Sequence, residues 1–151
     1  MRASKSDALA APRRRGRFCY DPPMTTSEID VPGVFGDAEE MYAAALERLA
    51  AGDVRDAADK AWCAALQATN ALILARTGEL PPKSPNTTRG LRQLAAVEPV
   101  MRPLQSQYSE RRDLLHGDCF YSGDCEPVED TARLIHETAD YIEQARRLAA
   151  S

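Results

Sequence analysis

From Asp37 onward, apolar residues recur at three- and four-residue steps, and glycine or proline cuts the pattern into segments too long for strands. Met41, Ala45 and Leu49 form one stripe, flanked by Tyr42 and Leu46, that stops at Gly52. Such spacing marks an amphipathic helix, because 3.6 residues make one turn. Gly52 suits the position just past a helix end, where the left-handed conformation is common. Asp53 then stands as an N-cap with Asp56 three residues on, and both acids meet the positive end of a second helix. Its stripe of Ala58, Ala61, Trp62, Ala65, Ala68, Thr69, Leu72 and Ile73 runs to Gly78. The alanines on the facing sides let the two axes approach closely, which predicts a tight antiparallel hairpin.

Residues 79–86, ELPPKSPN, read as a connection, since three prolines remove donors and push their predecessors toward extended backbone. Thr87 or Thr88 would then cap a third helix that carries Leu91, Leu94 and Ala95 to about Val97. Pro99 and Pro103 break or kink it before a segment that continues to about His116 and ends at Gly117. After the loop GDCFYSGDCE, Pro127 opens a last helix with Ala132, Ile135, Ala139, Ile142 and Ala145 along one side. No stretch alternates as a strand would. The expected fold is all-α, a four- to five-helix up-and-down bundle over residues 37–151. Residues 1–36, rich in arginine, proline and glycine, form an extended or disordered basic arm, and Met24 offers an alternative start. About 115 residues with few large aliphatics make a modest core, so a homodimer that buries more apolar surface is expected.

The charge is uneven. The 151 residues carry 19 Lys and Arg against 23 Asp and Glu, net −4. Residues 1–23 hold six bases and two acids, net +4, which leaves the body at net −8. A general nucleic-acid footprint is thereby excluded from the body. Yet between Arg89 and Arg112 lie five arginines (Arg89, Arg92, Arg102, Arg111, Arg112) and only Glu98 and Glu110, a positive island of net +3. No apolar run is long enough to cross a membrane and no apolar stretch follows the N-terminal bases, so the expectation is a cytoplasmic protein without membrane contact. The four cysteines, Cys19, Cys63, Cys119 and Cys125, lack the dense spacing of a secreted disulfide scaffold and read as reduced thiols.

Chemistry concentrates at RRDLLHGDCFY, residues 111–121. On an ideal helix Arg112 lies about 40° from His116, and Arg111 about 140°. Arg111, however, falls on the stripe Met101, Leu104, Tyr108, Arg111, Leu115, and a guanidinium on an apolar stripe needs a partner, an interface or a ligand. Arginine grips phosphate oxygens with a planar fork, and histidine exchanges protons near neutral pH. Together they could hold a phosphate and move the protons that metal-free phosphodiester cleavage requires.

Arg111, four residues and then His116, at the end of the penultimate long helix, resembles the R-x4-6-H signature of the HEPN superfamily. The likeness spans residues 37–150 in helix order and 111–121 in motif. The resemblance implies a bundle, commonly homodimeric, whose active members are metal-independent endoribonucleases of toxin-antitoxin or defence type. Arg111 and His116 would be catalytic, with the ribose 2′-hydroxyl as nucleophile. Arg112, Arg102, Tyr121 and Asp118 would contact an RNA or nucleotide substrate, and a cognate antitoxin or a nucleotidyltransferase-like protein would be the partner. Two departures stand out: Arg112 follows the arginine where a smaller polar residue is common, and Asp118 sits where toxin members carry tyrosine, Tyr121 being the nearest here.

The competing reading is a non-catalytic interaction module, with Arg111 buried in a salt bridge to Asp113, Glu110 or an acid of the last helix. An enzyme would open Arg111 and His116 to a shared cleft. The set His116, Cys119, Cys125 has irregular spacing for zinc, and no phosphate loop or dinucleotide fingerprint is present, so no metal or cofactor is expected. His136, isolated, reads as a surface residue.

Overall fold

The computed structural model describes residues 29–151, all of whose regular elements are helical. They are α1 (Val31–Ala50), α2 (Val54–Thr77), α3 (Ser84–Val97), α4 (Arg102–Arg111) and α5 (Val128–Ala150). A 3-10 turn, Pro99–Met101, leads into α4, and a π-helical limb, Arg112–Tyr121, continues it. The expected all-α bundle is therefore what this chain forms. No helix among the described residues is long and apolar enough to cross a membrane.

The bundle is organised by α2. Fourteen of its 24 residues are buried, on every side of the helix, which is how a helix surrounded by others reads. It packs against α1, α3, α4, α5 and the π-helical limb. Ala57, Ala58, Ala61, Ala64, Ala65, Ala68 and Ala71 have no exposed surface, and these small side chains bring the neighbouring axes close. Asp53 caps α2 as the sequence predicts, accepting from the Asp56 amide at 3.1 Å. Gly78 closes it at φ +81°, a left-handed C-terminal cap that a side chain would strain.

Several polar groups of this interior pair across helices. Thr87 donates to Asn70 Oδ1 at 2.6 Å and joins α3 to α2. Thr69 donates to the Ala65 carbonyl, so the Tyr141 hydroxyl of α5, 2.6 Å away, donates to Thr69. Arg76 at the end of α2 pairs with Glu98 at the end of α3 at 3.2 Å.

Three boundaries and the state of two cysteines differ from the expectation. Helix α1 begins at Val31 rather than Asp37, because Asp30 accepts from the Gly33 amide at 2.7 Å and Pro32, in the first turn, needs no donor. Residues 31–36 therefore belong to the bundle; the rest of the expected arm, through residue 28, lies outside the described residues. Helix α3 likewise starts at Ser84 with Pro85 in its first turn. Gly117 does not end the fourth segment, which widens into π-helix and runs to Tyr121. Finally, Cys119 and Cys125 form a disulfide and no described cysteine is free, which overturns the expectation of reduced thiols there. The limb carries Cys119 back toward Cys125 across the short loop, a proximity invisible in the spacing alone.

Candidate functional site

The predicted stripe along α4 is real: Met101, Leu104, Tyr108, Arg111 and Leu115 are all buried. Arg111 is 2% exposed. Its Nε donates to Thr138 Oγ1 at 3.0 Å, and its Nη1 donates to the Gln107 carbonyl at 3.2 Å. The guanidinium carbon lies 5.3 Å from the centre of the Tyr141 ring. The Thr138 hydroxyl donates to the Leu134 carbonyl, which leaves its oxygen free to accept from Arg111. Among the described residues no carboxylate pairs directly with Arg111 and no partner meets Nη2. Burial pulls the Arg111 pKa down, while Tyr141, Glu110, Glu137 and Asp140 oppose that shift through their fields. The guanidinium thus sits between α4 and α5 in a cradle of one hydroxyl, one carbonyl and one aromatic face.

His116 turns to a different helix. Its ring stacks on Trp62 of α2, centres 5.7 Å apart and planes at 29°, with Phe120 and Tyr121 also beside it at 6.1 and 6.4 Å. Trp62 also meets Tyr108 at 5.1 Å, so an aromatic column runs from the buried Tyr108 to the exposed Tyr121. His116 Nδ1 is buried without a hydrogen-bond partner. The azimuths of an ideal helix do not carry over here, because the π-helical limb bonds five residues apart and turns more slowly. The structure therefore places Arg111 against α5 and His116 against α2, and among the described residues the buried Arg111 does not open to a cleft with His116.

The remaining predicted contacts are dispersed. Arg112, half-buried, lies 3.2 Å from the exposed carboxylate of Asp113. Arg102 is exposed at the start of α4, about 15 Å along the axis from Arg112 at 1.5 Å per residue. Tyr121 is 77% exposed at the tip of the limb. Asp118 lines a groove with Glu110, Asp124, Glu126, Asp130 and Glu137, a field that repels phosphate. The Cys119–Cys125 disulfide withdraws both sulfurs as zinc thiolates.

Sequence reasoning missed three groups. Arg55 of α2 donates from Nε to the Phe120 carbonyl at 2.6 Å and from Nη2 to the Tyr121 carbonyl at 3.0 Å, clamping the end of the limb. No signal in the sequence marks it. Thr138 and Tyr141 were legible as members of the stripe Leu134, Ile135, Thr138, Tyr141, Ile142, Ala145, had the polar residues on it been counted with the apolar ones. Asp59, one turn before Trp62, is the third. Burial raises its pKa, with Lys60 and His116 pulling the other way. A carboxyl whose folded pKa is raised opposes folding once ionised, and the penalty disappears below the ordinary aspartate value of 3.8. Asp59→Asn is therefore expected to raise the thermal midpoint by about 2 °C at pH 7 and to leave it unchanged at pH 3. A gain that persists at pH 3 would show that ionisation is not its cause.

The model of the archaeal PaREP1/PaREP8 family matches residues 35–145. The chain belongs to that family. The match covers most of α1 through most of α5, including the cradle of Arg111 and the aromatic column. No curated protein and no solved structure matches the chain.

Proposed function

We propose that this PaREP1/PaREP8 chain is a HEPN-like helical module that acts by docking a partner, a nucleotidyltransferase-like protein or a second copy of itself, rather than by cleaving RNA. One observation carries the reading: the arginine that should hold a scissile phosphate is 2% exposed and bonded to Thr138 and Gln107. Catalysis needs that fork free to meet the phosphate as charge develops. Here it joins two helices instead. Incubating a mixed RNA pool in EDTA with wild type and with His116→Ala tests this. Both are expected to leave the RNA at the rate of a protein-free control; cleavage by wild type that His116→Ala abolishes would overturn the reading.

A second reading rests on the partnerless Nδ1 of His116 and on the exposed Tyr121 beside its ring. RNA or a nucleotide phosphate could bind there without being cleaved, with the base stacked on Tyr121. Under this reading labelled single-stranded RNA binds wild type and is released by Arg112→Ala and Tyr121→Ala. A cytoplasmic location belongs to the same proposal.

A further inference from the structure

Cys63 of α2 is disulfide-bonded, and its partner is not among the described residues. Cys119 and Cys125 bond to each other, and no described cysteine is free. The chain has four cysteines, so one is left, Cys19. The surroundings of Cys63 point the same way. Between Asp56 and Leu74, the residues of α2 that keep some exposed surface are Asp56, Asp59, Lys60, Gln67 and Leu74, all half-buried. At 100° per residue, all five fall within about 60° of Cys63 around the helix. They mark the side of α2 that the other helices cover least. Cys63 stands in the middle of that side and is nevertheless 3% exposed. A sulfur that is buried and bonded at the centre of the least covered face needs a segment of chain lying over it.

We infer that this segment is the chain's own basic arm, docked on α2 around residues 17–20 and fixed there by a Cys19–Cys63 disulfide. The chain can reach. At 1.5 Å per residue, Val31 lies about 29 Å from the turn that joins α1 to α2 and Cys63 about 14 Å, so the two stand about 15 Å apart along the hairpin. The ten residues from Cys19 to Ile29 span up to about 33 Å when extended. Closing the bond oxidises two thiols. Both S–H bonds break and one S–S bond forms. The two electrons and two protons pass to a disulfide oxidant, either a thiol–disulfide oxidoreductase or a small-molecule disulfide, which leaves as two thiols. The cross-link closes a covalent ring over α1 and the first part of α2. It also holds Arg13, Arg14, Arg15 and Arg17 beside a face that carries Asp56 and Asp59 against Lys60. The arm thereby becomes a strap on the bundle instead of a free tail. The inference stands whichever reading of Arg111 and His116 holds.

The full chain tests it in two measurements. The protein is equilibrated with oxidised glutathione, remaining thiols are blocked with N-ethylmaleimide, and the denatured, unreduced chain is digested with trypsin. Cleavage after lysine and arginine puts Cys19 in peptide 18–48, Cys63 in peptide 61–76, and Cys119 with Cys125 in peptide 113–133. Mass spectrometry is expected to find 18–48 joined to 61–76, in protein that runs as a monomer before reduction, and to find the two separate afterwards. Peptide 61–76 carrying maleimide or glutathione, or joined to 113–133 or to a second copy, would overturn the inference. The docking is tested on the folded protein. Trypsin is expected to release residues 1–17 about threefold faster from Cys19→Ser than from wild type, compared at equal helix content by circular dichroism. Equal release would show that no strap is seated on α2, and would overturn the docking even if the bond is found.

Discussion

Arg111→Ala is expected to lower the thermal midpoint by about 10 °C, whereas Arg111→Met should leave it within about 3 °C of wild type. The difference separates what the arginine fills from what its charge contributes. Alanine removes a large, fully buried side chain from the seam between α4 and α5 and leaves a void against Thr138 and Tyr141. Losses of this kind in a packed interior are about 3 kcal/mol, and for a domain of this size each kcal/mol moves the midpoint by about 3 to 4 °C. Methionine refills most of the volume. It gives up two hydrogen bonds, each worth about 1 kcal/mol, and also the cost of keeping a guanidinium out of water with no carboxylate at hand. Those terms oppose each other. Thermal melts followed by circular dichroism at fixed protein concentration decide the matter. If alanine costs as little as methionine, Arg111 is not a strut between helices and its burial must serve a ligand or a second subunit instead.

The helix order was legible because its punctuation is chemical and local. Gly52, Asp53 and Gly78 act through backbone preference and capping within a few residues, and they mark the ends of α1 and α2 as expected. The misplaced starts of α1 and α3 share one cause: Pro32 and Pro85 were read as helix breakers, yet both occupy first-turn positions where no amide donor is required. The π-helical limb was hidden for a different reason. Its far end is held by the Arg55 clamp and the Cys119–Cys125 disulfide, and these join residues distant in sequence or across a loop. The candidate site divides the same way. That Arg111 lies on a buried stripe follows from three- and four-residue spacing. That its partners are Thr138 and Tyr141 rather than a phosphate or a carboxylate depends on the rotation of α5 about its axis, which the run of Ala132, Ile135, Ala139, Ile142 and Ala145 only approximates. Ala132 and Ala139 are in fact only half-buried, while Leu134, Thr138 and Tyr141 face the interior.

Trp62 offers the second large effect. It is the chain's single tryptophan, 4% exposed, and it holds Tyr108 on one side and His116 on the other. Trp62→Ala is expected to cost about 4 kcal/mol, near the middle of the range for deleting a large aromatic from a core, and to lower the midpoint by about 12 °C. The damage should not be evenly spread. The π-helical limb rests on α2 chiefly through the His116 stack, the Arg55 clamp and the buried Cys119, so removing the tryptophan takes away one of three supports. Amide exchange is therefore expected to accelerate first in residues 112–121 and only later in α1, whose packing on α2 does not involve the limb. Trp62→Phe keeps a ring for His116 and should recover about half of the lost stability. Uniform acceleration along the chain would mean that the limb is not a separately supported unit; unchanged exchange in the limb would mean that the clamp and the disulfide suffice. In either case the aromatic column would be core packing alone, and the partnerless Nδ1 of His116 would no longer point to a surface prepared for a ligand.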